Sequence, residues 1–456
     1  MILLLFMLYG LISQHFYLVI LGGFSFMVVL RMLWKPYTPP VLLFFMMFHW
    51  LQVFSSLLYA DSLSMNVEEL SNTKDVQFLF AMTFVHIMIM AFVLNSFLTH
   101  KQIETANFEM LKKAAQKVNV KNVIIGYFVS IIILPIILSA TVGSASLYQL
   151  VLSFSIIKTL FTGLLVFVLL FVKKNRMLIL ALLIFDFILS FASFFSEFKT
   201  LLIMVMIIYF TAYPYLRKST MYKMVPVLVL LVVFFSFWSY VKGGYRDFLN
   251  QGSTQQVKVV SNVDALKYMY SKVAEADMSM LRDGATIFLS RLQYMERYSE
   301  VYKRVPATIE HKGGEDIAQT LVFLLVPRFI NENKGVKDAS QRTSYYTGKT
   351  FSNASQGTSI SMGYFCDLYI DFGILFMIIP LALISVVIGL IYQKILTIKK
   401  YNILFTYSVL VGTFLTFGTF ESDSIFFLGA LRNNIVFLML GYFLFFPVLH
   451  RFVINK

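Results

Sequence analysis

Polarity along the chain alternates between long apolar runs and short polar breaks. Runs of about 20 residues recur, the length that carries a helix across a bilayer. Residues 225–241 are apolar on nearly every face, whereas a membrane β-strand would alternate apolar and polar positions. The runs therefore predict helices, at 41–60, 78–98, 123–141, 150–172, 178–195, 201–216, 225–241, 374–396, 403–419 and 435–449. Pro39 and Pro40 open the first of these. Residues 1–30 leave two readings: one long tilted helix, or a short re-entrant piece followed by a span at 16–30. Ser13, Gln14, His15 and the Gly22-Gly23 pair are the polar and small residues that leave this open. The segment lacks the basic start of a secretory signal, its first Lys or Arg being Arg31, and reads as a retained membrane segment. The expected fold class is an all-α polytopic membrane protein with about 10–12 transmembrane helices.

Composition agrees. Hydrophobic residues make up 58% of the 456 and charged residues 14%, against ~25% charged in a soluble domain. The net charge of +14 raises the question of a nucleic-acid partner. Its distribution answers it: segments placed inside by alternation hold 17 Lys/Arg against 2 acids, while the short outer loops are acidic or neutral. That is the positive-inside bias of a membrane protein. The expectation is a multi-pass protein of the cytoplasmic (inner) membrane, with a cytoplasmic C-terminus, the lipid bilayer as partner and no nucleic acid. The single cysteine, Cys366, excludes an intrachain disulfide framework.

Three regions follow: N-terminal transmembrane helices at 1–241, a large extracytoplasmic loop at 242–372, and C-terminal transmembrane helices at 373–456. The loop is too long for a connector, and it is patterned. Residues 285–305 read as an amphipathic helix, with Phe288, Leu292, Met295 and Tyr302 at helical spacing beside Arg291, Tyr294 and Tyr298. Residues 263–280 are a second helical candidate. Residues 320–330 form an apolar segment too short to span, broken at Pro327, and are expected to dip into the interface.

Several chemistries lack their motifs: glycine-rich phosphate loops, metal-type His/Cys clusters and the serine-hydrolase elbow. No metal and no cofactor is implied. His49 and His86 lie within spans and read as helix-helix contacts. Lys158 and Asp186 are also intramembrane, where pairing, snorkelling and a functional role are all open. The loop holds Arg246, Arg282, Arg291, Arg297, Arg304, Arg328 and Arg342, with Lys334 nearby. Its 16 basic and 14 acidic residues nearly cancel, so position matters more than total charge. Arg328 ends an apolar segment and Arg246 stands at the mouth of a span. Guanidinium forks match phosphate oxygens. Tyrosines are dense; an interfacial belt suits Tyr364 and Tyr369, while sugar contact is open for Tyr294 and Tyr298. Candidate acids are Asp247, Glu296, Asp367, Asp371, Glu421 and Asp423. Glu421-Ser-Asp423 is an acid-x-acid pair that could also hold a divalent ion.

The segment LVFLLVPRFINENKG (321–335) resembles the Pro-Arg…Lys stretch of Wzy-type polysaccharide repeat-unit polymerases. FLSRLQYMERYSEVYKRVP (288–306) resembles the family's Arg-bearing helix. SQGTSISMGYFCDLYIDFGIL (355–375) resembles its Gly/Ser-rich turn, acidic-aromatic pair and Asp-Phe-Gly entry to the next span. The chain departs from the family at Phe329 to Glu332, where Trp and Pro-Asp are usual, and at Gly335, where Pro is common. The resemblance implies a GT-C-like glycosyltransferase. It would transfer a growing glycan from undecaprenyl diphosphate to a lipid-linked repeat unit on the outer face of the membrane. A flippase and a chain-length regulator of the same pathway are implied partners. Arg246, Arg291, Arg328 and Lys334 are the expected diphosphate-binding residues, Asp247, Glu296 and Asp367 the expected catalytic carboxylates, and Tyr294 and Tyr298 the expected glycan contacts. Three other readings stand beside this one: an O-antigen ligase-like transferase, a lipid-linked oligosaccharide flippase or transporter, and a non-catalytic scaffold for a polysaccharide assembly complex.

Overall fold

The computed structural model describes residues 2–100, 103, 105–141, 151, 153–172, 175–191, 198–215, 218–252, 259–326, 337–351, 359–417 and 420–455. The described residues are nearly all helical and include no strand. Among the described residues, seven helices are long and apolar enough to cross a membrane, and four shorter apolar helices accompany them. The chain has the make-up of an all-α polytopic membrane protein.

The polar trio Ser13-Gln14-His15 breaks the first apolar run into α1 (Ile2–Ile12) and α2 (Phe16–Leu33). At about 16 Å, α1 is too short to cross the hydrocarbon core. It folds back instead, setting Phe6 against Phe26, Trp50 and Phe54. The break is held by Asp61, which accepts from the Tyr9 hydroxyl at 2.5 Å. Residues 1–30 thus form two segments rather than one long helix.

Next come α3 (Val41–Ser62), α4 (Val67–Ser71), α5 (Val76–Leu98), α6 (Phe108–Gln116) and α7 (Val120–Ala140). After them lie α8 (Ser155–Phe171), α9 (Arg176–Phe191) and α10 (Phe198–Ala212). The most enclosed of the long helices is α3, packed between α2 and α5. His49, on α3, uses both ring nitrogens, one on the Phe45 carbonyl and one on the Tyr364 hydroxyl, each at 2.8 Å. Lys158 on α8 pairs with Asp186 on α9 at 2.9 Å, so the two intramembrane charges neutralise one another.

The span expected at 225–241 belongs to a 33-residue helix, α11 (Lys218–Asn250). It runs without interruption past the expected domain boundary at 242. The loop region that follows holds α12 (Asn262–Ala274), α13 (Met278–Leu292), α14 (Met295–Arg304), α15 (Glu315–Leu325) and α16 (Ala339–Thr347). Two expected helices are corrected. Residues 263–280 are divided near Glu275, because Asp277 caps a new helix by accepting from the Met280 amide at 2.8 Å. Residues 285–305 are divided at Gln293, whose backbone is extended. There the Tyr294 amide bonds the Gln52 carbonyl at 3.1 Å and Ser56 bonds Gln293 at 3.3 Å. A tertiary tie to α3 outweighs helical propensity at that point.

The chain then enters α17 (Tyr364–Phe376), bends at Gly373, and continues as α18 (Ile378–Leu396) and α19 (Ile403–Leu415). Residues 420–434 fall between the expected spans 403–419 and 435–449 and so read as an outer loop, but only their first few precede α20 (Ser424–Leu440). This helix continues through a π turn, Gly441–Phe445, into α21 (Phe446–Val453). The polar run that suggested a loop finds partners inside the bundle. Arg432 donates to the Leu324 carbonyl at 2.6 Å and Asn434 accepts from Thr416 at 3.0 Å.

Candidate functional site

The loop helices gather at one end of the bundle, around the start of α17 and the start of α20. Helix α15 begins at Gly314, which has a positive φ of 96°. Asp371 on α17 accepts from the amides of Asp316 and Ile317 at 3.2 and 2.7 Å, satisfying donors that a helix start leaves unpaired. Asp316 is thereby aimed at α16. There Arg342 bridges two carboxylates, Asp316 at 2.6 Å through Nη2 and Asp367 through Nη1. The Tyr346 hydroxyl also donates to Asp316 at 3.2 Å, and its ring lies 5.4 Å from the guanidinium. Burial opposes the Arg342 charge, but Asp367 and Asp316 outweigh it and hold its pKa above the ordinary value.

Asp367 is buried, and both its oxygens are engaged. The second accepts from the Ser424 amide at 2.7 Å, which fixes the start of α20. The adjoining Asp423 caps that helix by accepting from the Phe426 amide at 2.7 Å. Burial, and then the charge of Asp367, push the Asp423 carboxyl above the usual range. These groups line a cavity of about 480 Å³ that also takes in Gln319, Lys337 and Tyr345. The Tyr345 ring is 58% exposed and so available to a ligand. Backbone geometry demands glycine at the cavity's edge: Gly363 has a φ of 89°, and a Cβ there would lie 2.4 Å from the Phe420 carbonyl oxygen.

A basic cluster lies beside this cavity. The charges of Lys199, Lys242, Arg246 and Arg291 are close enough to act on one another, and Glu421 acts on both lysines. Arg246 is half-buried on the extension of α11, and Arg291 is exposed near the end of α13. Glu421 and Asp423 are two residues apart, at most about 7 Å along the backbone. One takes part in the cation cluster and the other in the carboxylate cavity. Among the described residues, no group of three or more His, Cys, Asp or Glu is arranged to hold a metal ion.

The structure therefore brings together Arg246 and Arg291, and separately Asp367 with Arg342. It leaves Asp247 exposed on α11. Glu296 is bound by Gln293 at 2.9 Å and faces Lys349 at 3.5 Å, in a group that includes Glu300. Burial raises the Glu300 carboxyl above its ordinary range despite that lysine. The two tyrosines expected to contact glycan lie inside the packed core. Tyr298 is fully buried with its hydroxyl on Met377 Sδ at 3.3 Å. Tyr294 is nearly so, its hydroxyl shared by the Ser361 carbonyl and Arg297. Both rings pack Phe420 and offer no surface to a sugar. Arg328 and Lys334 lie outside the described residues.

Sequence reasoning gave Lys199, Asp316 and Lys337 no role and did not single out Arg342. Asp316 had a usable signal, since it sits in the first turn after Gly313-Gly314, where helix starts favour acids. Nothing local marks Arg342, which acquires its meaning from partners 25 and 26 residues away.

A family described as "Domain of unknown function (DUF8712)" matches residues 11–456, and the chain belongs to it. No curated protein and no solved structure matches the chain.

Proposed function

We propose that this DUF8712 chain is a polysaccharide repeat-unit polymerase, a lipid-diphosphate-dependent glycosyltransferase of the cytoplasmic membrane with a GT-C-like architecture. Its substrates are undecaprenyl-diphosphate-linked oligosaccharides, its active face is the outer one, and its C-terminus is cytoplasmic. A flippase and a chain-length regulator of the same pathway are the partners that such an activity requires. The reading rests on the ordered resemblance at 288–375. The observation that carries it further is the segment Glu421-Ser422-Asp423, which joins the cation cluster to the carboxylate cavity.

Glycosyl transfer from a lipid diphosphate needs both halves side by side. The acceptor hydroxyl oxygen forms a bond to the anomeric carbon while the bond from that carbon to the diphosphate oxygen breaks. The electron pair of the broken bond remains on the diphosphate, where fixed cations stabilise it. Lys199, Lys242, Arg246 and Arg291 are assigned that role, with Arg328 and Lys334 added by the resemblance. The hydroxyl proton passes to a carboxylate. Asp423 suits this better than Asp367, whose two oxygens are already committed to Arg342 and the Ser424 amide. Arg342 is then a positioning residue: through Asp367 it fixes the start of α20 and so the place of Asp423. The exposed Tyr345 ring offers an apolar sugar face a stacking partner.

Purified full-length protein incubated with lipid-diphosphate-linked repeat units should give a ladder of products on a gel. Asp423→Asn should slow ladder formation by roughly 10²–10⁴-fold, and the double change Arg246→Ala with Arg291→Ala should weaken it strongly. Ladders of wild-type length from both variants would sink the assignment. Transfer to an acceptor other than a second lipid-linked unit would make the protein a ligase.

A further inference from the structure

At the other end of the bundle, the last turn of α18, the segment 397–402 and the π turn after α20 enclose a groove of about 620 Å³. Its inner wall is apolar and tightly packed: Ile391, Ile395, Val409 and Phe446 are each less than 9% exposed. Its outer edge is apolar too but open, with Leu390, Met439 and Phe443 at 43%, 59% and 72% exposure. Three ammonium groups line it as well: Lys394, Lys399 and Lys400. None of the lining residues is acidic. Lys400 lies 5.7 Å from the Tyr401 ring centroid and 6.0 Å from that of Tyr442, so its charge is held at the groove by two aromatic faces. Tyr442 and Phe443 belong to the π turn Gly441–Phe445. Such single turns insert one extra residue into a helix and are frequent at functional sites.

An apolar slot open to the side and rimmed by three cations has the polarity profile of one ligand class. The occupant must carry a hydrocarbon chain and a net negative headgroup. The volume lies within the range of ligand sites, roughly 300–1,000 Å³. We infer that this groove binds an anionic glycerophospholipid, with an acyl chain along the Ile391–Val409 wall and the phosphate on Lys394, Lys399 and Lys400. Basic pockets between transmembrane helices favour such headgroups. A lysine rim that served orientation alone would need no slot beneath it. The site is independent of the glycosyltransfer proposed above and stands or falls separately.

Delipidated full-length protein in detergent is titrated by native mass spectrometry with phosphatidylglycerol and with phosphatidylcholine of the same acyl chains. Phosphatidylglycerol should be retained with at least about tenfold preference. The triple variant Lys394→Gln, Lys399→Gln, Lys400→Gln should lose that preference. A second triple variant, Lys112→Gln, Lys113→Gln, Lys117→Gln, removes the same charge from α6 and the residue that ends it. That helix lies at the same end, the Ala114 carbonyl accepting from Asn402 at 3.1 Å. It should keep the preference. Met439→Trp, which fills the open edge with the lysines intact, should reduce retention of phosphatidylglycerol and tests the slot even if the first triple variant fails to fold. Equal loss in the two triple variants would mean diffuse electrostatics and overturn the site, as would no preference in the wild type. Displacement by excess glycerol phosphate would make it a free-phosphate site. Displacement by equimolar undecaprenyl phosphate would make it a polyprenyl site. Either result overturns the inference.

Discussion

Arg342 shows how much one side chain can organise when two carboxylates depend on it. Asp367 and Asp316 belong to different helices, and a single planar guanidinium reaches both. Removing one member of a buried ion pair leaves an uncompensated charge. Arg342→Met should therefore destabilise the protein by roughly 3 kcal/mol in denaturant titrations. Arg342→Lys, a point charge without the fork, should recover only part of the loss. Asp423 makes a different kind of prediction. Burial and Asp367 raise its carboxyl above the ordinary aspartate value of about 4. A base must be deprotonated to act, so the proposed polymerisation should fall as pH drops through that raised value. The acid limb should lie on the neutral side of 4 and should move toward more acidic pH in Asp367→Asn. An acid limb unmoved by Asp367→Asn would take Asp423 out of the role of base.

At the scale of elements, helix packing decides what the loop can do. Helix α13 lies along α11, and Gly284 sits directly against its backbone. A Cβ at Gly284 would lie 2.2 Å from the Ser236 carbonyl oxygen, a backbone atom that cannot yield. Gly284→Val should push α13 away from α11, lower thermal stability by an amount equivalent to about 1–3 kcal/mol, and still allow membrane insertion. A variant as stable as wild type would mean that the two helices are not held together here. Much of this architecture was legible from apolar runs alone, because a span must be apolar on nearly all sides and therefore marks itself. The capping acids Asp277 and Asp423 were legible in principle as helix starts. The division at Gln293 was not, since the competing partners are Gln52 and Ser56, far earlier in the chain. The start of α20 was hidden for a related reason. Arg432 and Asn434 look like loop residues until their partners on α15 and at the end of α19 are known.

For the whole molecule, orientation is the first thing to measure, and the chain carries a convenient background. Its only cysteine, Cys366, is fully buried, so a membrane-impermeant thiol reagent should leave the wild type unlabelled. Tyr270→Cys, at a position 78% exposed in the loop region, should be labelled from outside intact cells. Gln116→Cys, at the exposed end of α6, should react only after permeabilisation. The reverse pattern would invert the proposed topology and with it the outer-face chemistry. The candidate site was only partly legible at this scale. Asp367 and Arg246 stood in suggestive surroundings, but their company of Asp316, Arg342, Lys199 and Lys242 is a product of three-dimensional assembly.

The uninterrupted course of α11 has a mechanical consequence. At 33 residues it is about 50 Å long, well beyond a hydrocarbon core of ~30 Å. Arg246 is rigidly fixed to the part that projects, so the distance between the apolar stretch and the cation cluster cannot relax. The helix acts as a ruler whose zero is set by the bilayer. Lipids with longer acyl chains would bring the surrounding headgroups level with Arg246 or above it, and shorter ones would leave it standing clear. The diphosphate of the proposed lipid-linked substrate would move with that surface. Turnover in reconstituted vesicles should therefore pass through a maximum as acyl length is varied, a hydrophobic-mismatch dependence that a jointed connection at residue 242 would have absorbed.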